Sequence, residues 1–158
     1  MTTQRPLSQR EREGIDELRS DHARVLAAIE ALERAARAPS PRRRVEWLTN
    51  VRVALSQFHK ATDREGQHES APAGVLEVIR DSEPRLAAEV DHVEQAYRQL
   101  SENIGKLAQS LEQADPEQID VAAVRREISQ LLAEYHQLQA REVDLVYDAY
   151  NTDIGTGD

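Results

Sequence analysis

Apolar residues recur at three- and four-residue spacing in four long runs of this chain, and each run is closed by a break rich in proline, glycine or small polar residues. The first run carries Ile15, Leu18, Val25, Leu26, Ile29 and Leu32 and stops at "APSP", residues 38–41. The second carries Leu48, Val51, Leu55 and Phe58, fades near Gly66 and ends at "ESAPAG", residues 69–74. After a short apolar piece, "VLEVI", the third runs from Leu86 through Val93, Tyr97, Ile104 and Leu111 to "ADPEQ"; the fourth, from about residue 116 or 121 to about 151, carries Val124, Ile128, Tyr135, Leu138 and Leu145. Such spacing lays one apolar stripe along a helix, and proline ends it. "DSEPRLAAE" predicts the start of the third helix, with Ser82 as N-cap and Pro84 in the first turn. Four long helices with short connections predict an all-α, up-down-up-down four-helix bundle.

Composition agrees with this class. Charged residues make up 31% and aromatics 4%, a balance that suits helices and leaves little to build a sheet. The 39% apolar content supplies one core, so the expected organisation is a disordered arm over residues 1–10, one bundle over 11–151 and a disordered tail over 152–158. A net charge of −9 argues against a nucleic-acid partner, which needs a basic face, and "PRRRVEW" reads as a solvated helix start. No apolar run reaches the roughly 18 residues of a membrane span. The first residues lack the apolar segment of a secretory signal, so the expected compartment is the cytoplasm. With no cysteine, thiolate chemistry is excluded and any metal must be held by nitrogen and oxygen.

The histidines fall into a repeat. "LSQFHKATDRE" (Leu55 to Glu65) and "LAEYHQLQARE" (Leu132 to Glu142) share an outline: Phe58-His59 and Arg64-Glu65 stand against Tyr135-His136 and Arg141-Glu142. "DH" occurs at Asp21-His22 and again at Asp91-His92. Each of the four helices thus contributes one histidine, and the second and fourth each add a glutamate. Bundles build metal sites from inward-pointing side chains on facing helices, and imidazole with carboxylate suits iron, manganese or zinc.

"LRSDHARVLAAIEAL", "LSQFHKATDRE", "EVDHVEQAYRQL" and "YHQLQAREVDLVYDAY" together resemble the hemerythrin-like, or HHE cation-binding, domain, over about residues 12 to 150. The resemblance implies a four-helix bundle with a non-haem di-iron site, and oxygen, nitric oxide or peroxide handling, or iron sensing. It assigns His22 as the anchoring ligand, His59, His92 and His136 as further imidazoles, and Asp63, Glu65 and Glu142 as bridging or terminal carboxylates. The metal is iron or another divalent ion, and a small diatomic ligand is an implied partner. Such a protein need not be an enzyme, and is expected as a monomer or homodimer.

The residues themselves fit this set unevenly. His22 lies on the stripe of Leu18, Val25 and Ile29, whereas His92 lies beside that of Val90 and Val93. His59 and Asp63 are about 40° apart around a helix. His136 and Glu142 are about 120° apart and about 9 Å apart along the axis, so one straight helix brings both to one ion only with a π-bulge. Glu142 shares the phase of Tyr135, Leu138 and Leu145, and a carboxylate buried there needs a metal, an arginine or a histidine. Two Glu-x-x-His pairs, Glu65 with His68 and Glu89 with His92, also match the ferritin-type pattern, but on consecutive elements. His68 itself reads as an exposed loop residue. The alternative to metal binding is a metal-free bundle with a degenerate site that works as an interaction or regulatory module.

Overall fold

A computed structural model describes residue 6 and residues 8–40 and 43–151. Among them there is no strand; the chain forms four long helices, α1 (Gln9–Arg37), α2 (Arg44–Ser70), α4 (Ala87–Glu112) and α5 (Val121–Asn151), with a short α3 (Val75–Ser82) and a 3-10 turn (Pro84–Leu86) between α2 and α4. Cross-helix contacts fix the directions. Trp47 near the start of α2 donates to Ala36 O at the end of α1, and His68 at the end of α2 meets Asp21 in α1. His59 meets Ser101 while Arg52 meets Leu111, so α2 and α4 are antiparallel. Asn103 meets Glu134 and Tyr97 meets Glu142, so α4 and α5 are antiparallel too. Arg125 reaches back to Ala36 O and closes α5 onto α1. This is the up-down-up-down bundle that the four stripes require.

Local chemistry sets the boundaries. Asp120 accepts from the Ala123 amide at 3.1 Å and so caps the first turn of α5. Ser82 does not open a helix: it is the last residue of α3, its hydroxyl donates to Val78 O, and Glu83 precedes the turn that Pro84 begins. Gln9 and Arg10, expected in the arm, belong to α1, where Arg10 donates to Pro72 O. The expected tail, 152–158, and residues 1–5 of the arm lie outside the described residues. α2 does not loosen at Gly66 but runs on to Ser70. No helix of the described residues is long and apolar enough to cross a membrane.

The core is graded along the bundle axis. One end is apolar, with Trp47, Leu48, Leu111, Val124 and Ile128 all buried. Toward the other end, past Phe58 and Tyr135, the buried side chains become Glu65, Glu69 and Glu142.

Candidate metal centre

Glu65 lies seven residues after Phe58, and Glu142 seven after Tyr135. Seven residues are two turns less about 20°, so each glutamate shares the buried face of its aromatic. Glu69 is one further turn along α2, about 40° from Glu65. All three are at most 2% exposed, and one carboxylate oxygen of each lies within 4.8 Å of the others.

Two tyrosines and a glutamine surround them. The Tyr97 hydroxyl, from α4, stands 2.8 Å from Glu65 Oε1 and 2.8 Å from Glu142 Oε2. Tyr135 donates to Glu65 at 3.0 Å, and Gln139 donates to Glu65 Oε1 at 2.8 Å. Gly66 makes room for Tyr97: a Cβ there would stand 3.1–3.3 Å from its Cδ1, Cγ and Cβ. On the outer side, half-exposed His22 places Nδ1 3.0 Å from the Tyr135 hydroxyl and 3.9 Å from Glu65 Oε2. With Tyr135 donating to Glu65, His22 Nδ1 carries a proton and donates to the phenol.

The donors do not reach everything. Both oxygens of Glu69 and Oε1 of Glu142 are buried with no hydrogen-bond partner. Among the described residues, no lysine or arginine pairs with any of the three glutamates; the one ion-pair partner near them is His22. Burial pushes the Glu65 carboxyl up to about 7, with the Glu142 charge adding to the rise and the Tyr97 and Tyr135 hydroxyls opposing it. Burial, then the facing Glu142, raises Glu69 well above the carboxylate range, and burial raises Glu142. Tyr97 is raised by burial and then by the charges of Glu142, Glu69 and Glu65. His22 is lowered, by burial first and then by His136. The cluster therefore concentrates negative charge that only protons or a cation can offset.

Of the residues singled out in the sequence, the structure gathers Glu65 and Glu142 at one point, with His22 at its edge. The rest lie elsewhere. His59 faces Ser101 at 3.2 Å and Asp63 at 3.5 Å, on the α2/α4 surface. His92 is exposed beside Glu89, and His136 is exposed on α5, which is a continuous α-helix without a π-bulge. His59 and His136 each follow the buried aromatic by one position, about 100° around the helix, which turns them off the core face. In α4, Tyr97 and not His92 stands opposite Glu142. Glu69 is not among the expected ligands because it heads "ESAPAG", which reads as the break after the second run; the i,i+4 pair of Glu65 and Glu69 is its sequence signal.

His68, expected in a loop, lies in the last turn of α2, where Nδ1 is 2.7 Å from Asp21 Oδ2 and 3.2 Å from Glu17 Oε1. Arg24 and Arg64 flank the other Asp21 oxygen at 3.7 and 3.9 Å. This second acidic group is thus already compensated.

The Glu65, Glu69 and Glu142 set offers oxygen donors alone, the chemistry of a hard cation such as manganese, iron, magnesium or calcium. It does not collect the imidazoles of the expected di-iron set. Comparison with family models, with curated proteins and with solved structures gives no match for this chain.

Proposed function

We propose that this chain is a hemerythrin-like bundle that holds iron, or another hard divalent cation such as manganese, between Glu65, Glu69 and Glu142, in the service of oxygen, nitric oxide or peroxide handling, or of iron sensing, in the cytoplasm. One observation carries the reading: Glu69 is buried with neither oxygen partnered and faces Glu142, itself half unpartnered. Two acceptors brought together out of water cost several kcal/mol unless something positive lies between them. The family resemblance supplies the second support, since it rests on the same helices. Within this reading the carboxylates bind the ion, His22 sits beside it, and His59, His92 and His136 are not ligands.

The rival reading is a metal-free interaction or regulatory module in which protons fill the gap. It is favoured by the carboxyl of Glu65, which burial lifts to about 7, so that neutral carboxyls are within reach at ordinary pH. Metal content measured by mass spectrometry, on protein expressed with added iron and manganese, separates the two. Roughly one ion or more per chain is expected for the wild type, with loss in Glu69→Gln and Glu142→Gln and retention in His92→Ala and His136→Ala. A wild-type protein that is helical and metal-free gives the answer to the rival.

A further inference from the structure

We propose that Tyr97 is itself a ligand of the bound cation, coordinating as a phenolate; this rests on the cation site of Glu65, Glu69 and Glu142. Its hydroxyl has one proton but stands 2.8 Å from an oxygen of each of two different glutamates. One proton in one place meets one of those acceptors. Gln139 reaches the same phenol oxygen at 3.2 Å and Glu142 Oε2 only at 3.4 Å, so with both glutamates ionised, as cation binding requires, it does not repair the deficit. Cis oxygens around an octahedral ion bound at 2.0–2.1 Å are separated by about 2.9 Å. Tyr97 Oη therefore stands from Glu65 Oε1, and again from Glu142 Oε2, at the spacing of neighbouring ligands on one ion.

Tyr135 touches the cluster differently. Among the described residues its hydroxyl meets His22 and the two oxygens of Glu65, the latter at 3.0 and 3.2 Å, so its proton is already placed. It is a positioning residue that holds Glu65 and has no hydrogen bond to Glu142. Tyr97 also connects the centre to the surface. Its ring lines a groove of about 480 Å³ between α2 and α4, together with Thr62, Gly66 and Ser101. On coordination the O–H bond is replaced by an O–metal bond, and the proton passes to solvent or buffer; no electron changes hands.

A ferric ion bound by phenolate absorbs in the visible through charge transfer from ligand to metal, whereas carboxylate-bound iron does not. The full-length chain would be loaded with iron(III) from ferric citrate, with iron counted per chain and helicity checked by circular dichroism. The wild type and Tyr147→Phe, which alters an exposed tyrosine of α5, are expected to be coloured, and Tyr135→Phe to keep the band per bound iron whatever its iron content; Tyr97→Phe is expected to keep the fold and lose the band. A bound ferric ion without a visible band, a band that survives Tyr97→Phe, or a band lost in Tyr135→Phe with iron retained overturns the assignment. If Tyr97→Phe fails to hold iron, Tyr135→Phe decides: the wild-type band per bound iron supports Tyr97, and a weaker one overturns it. A wild type that takes up no iron or manganese sinks the cation site, and the Tyr97 assignment with it.

Discussion

Asp21 and Glu69 are both carboxylates almost wholly removed from water, 3% and 2% exposed, and both sit against the last turns of α2. Their surroundings are opposite. Asp21 looks toward His68, Arg24 and Arg64, so its charge is met by imidazole and guanidinium groups whose far ends reach solvent. Glu69, one residue after His68, looks inward at Glu142 and Glu65 and is met by nothing. The first arrangement clasps α1 to α2 and needs no further component. The second brings like charges together without a counter-charge, and that is the deficit the proposed cation would offset. A buried carboxylate thus carries functional meaning through its partners, not through its burial.

Substitution should give the two carboxylates opposite signs. In cation-free protein at pH 8, Glu69→Leu is expected to raise stability by about 1–4 kcal/mol, because it removes a buried, unpartnered carboxylate and leaves its apolar volume filled. Asp21→Ala is expected to lower it by about 1–3 kcal/mol, since it strands the groups that Asp21 satisfies. Urea unfolding of the two variants beside the wild type reads both effects. Equal signs would remove the distinction between the clusters.

The pH dependence sharpens the same contrast. Glu65 holds its proton up to about 7 in the folded chain, against an ordinary value of 4.5. Between those values the folded state binds a proton that the unfolded state has released. Stability from this group is therefore complete below 4.5 and is lost as pH rises through 7, by about 3 kcal/mol in all. Glu69 and Glu142 are shifted in the same direction, while His22, lowered by burial, acts the other way as pH falls through its own range. Cation-free protein should melt lower at pH 8 than at pH 5.5, and scanning calorimetry across that window checks it. A melting temperature that rises with pH would mean that the cluster is compensated after all.

The architecture was legible because helix periodicity survives any detail of packing: Ile29, Leu55, Ile104 and Ile128 are buried where their stripes put them, whereas Leu26, expected on the first stripe, is 40% exposed because it lies one step, about 100°, past Val25. The phase of Glu142 with Tyr135 and Leu145 was legible for the same reason. The site as a whole was less so, and two particulars explain it. The repeat draws attention to His59 and His136, but in each copy the conserved spacing that reaches the core is aromatic to glutamate, seven residues apart, and the histidine is one step off that face. The fading of the stripe near Gly66 and the break "ESAPAG" hide Glu69, whereas the missing side chain of Gly66 serves the close approach of Tyr97 and α2 carries Glu69 in its last turn. Tyr97 shows no polar role from its spacing, since a tyrosine on an apolar stripe reads as core until its hydroxyl is placed.

Gly66 offers the finest test, because two effects of similar size oppose each other there. Alanine in mid-helix is favoured over glycine by about 1 kcal/mol. Its Cβ would stand 3.1–3.3 Å from Tyr97 Cδ1, Cγ and Cβ, tighter than most carbon contacts, so the ring or the α2/α4 spacing must give by a few tenths of an ångström. Tyr97 is held at both its ends, by the core around its ring and by Glu65 and Glu142 at its hydroxyl, so the ring cannot shift without lengthening contacts of 2.8 Å. The expected result for Gly66→Ala is a net loss of about 1 kcal/mol in cation-free protein, read by urea unfolding. Combined with Tyr97→Ala, which removes the ring, the same substitution should turn stabilising. A Gly66→Ala single variant that gains the full helix-propensity increment would mean that Tyr97 moves freely, and that the carboxylate cluster is not held in the geometry on which the contrast with Asp21 depends.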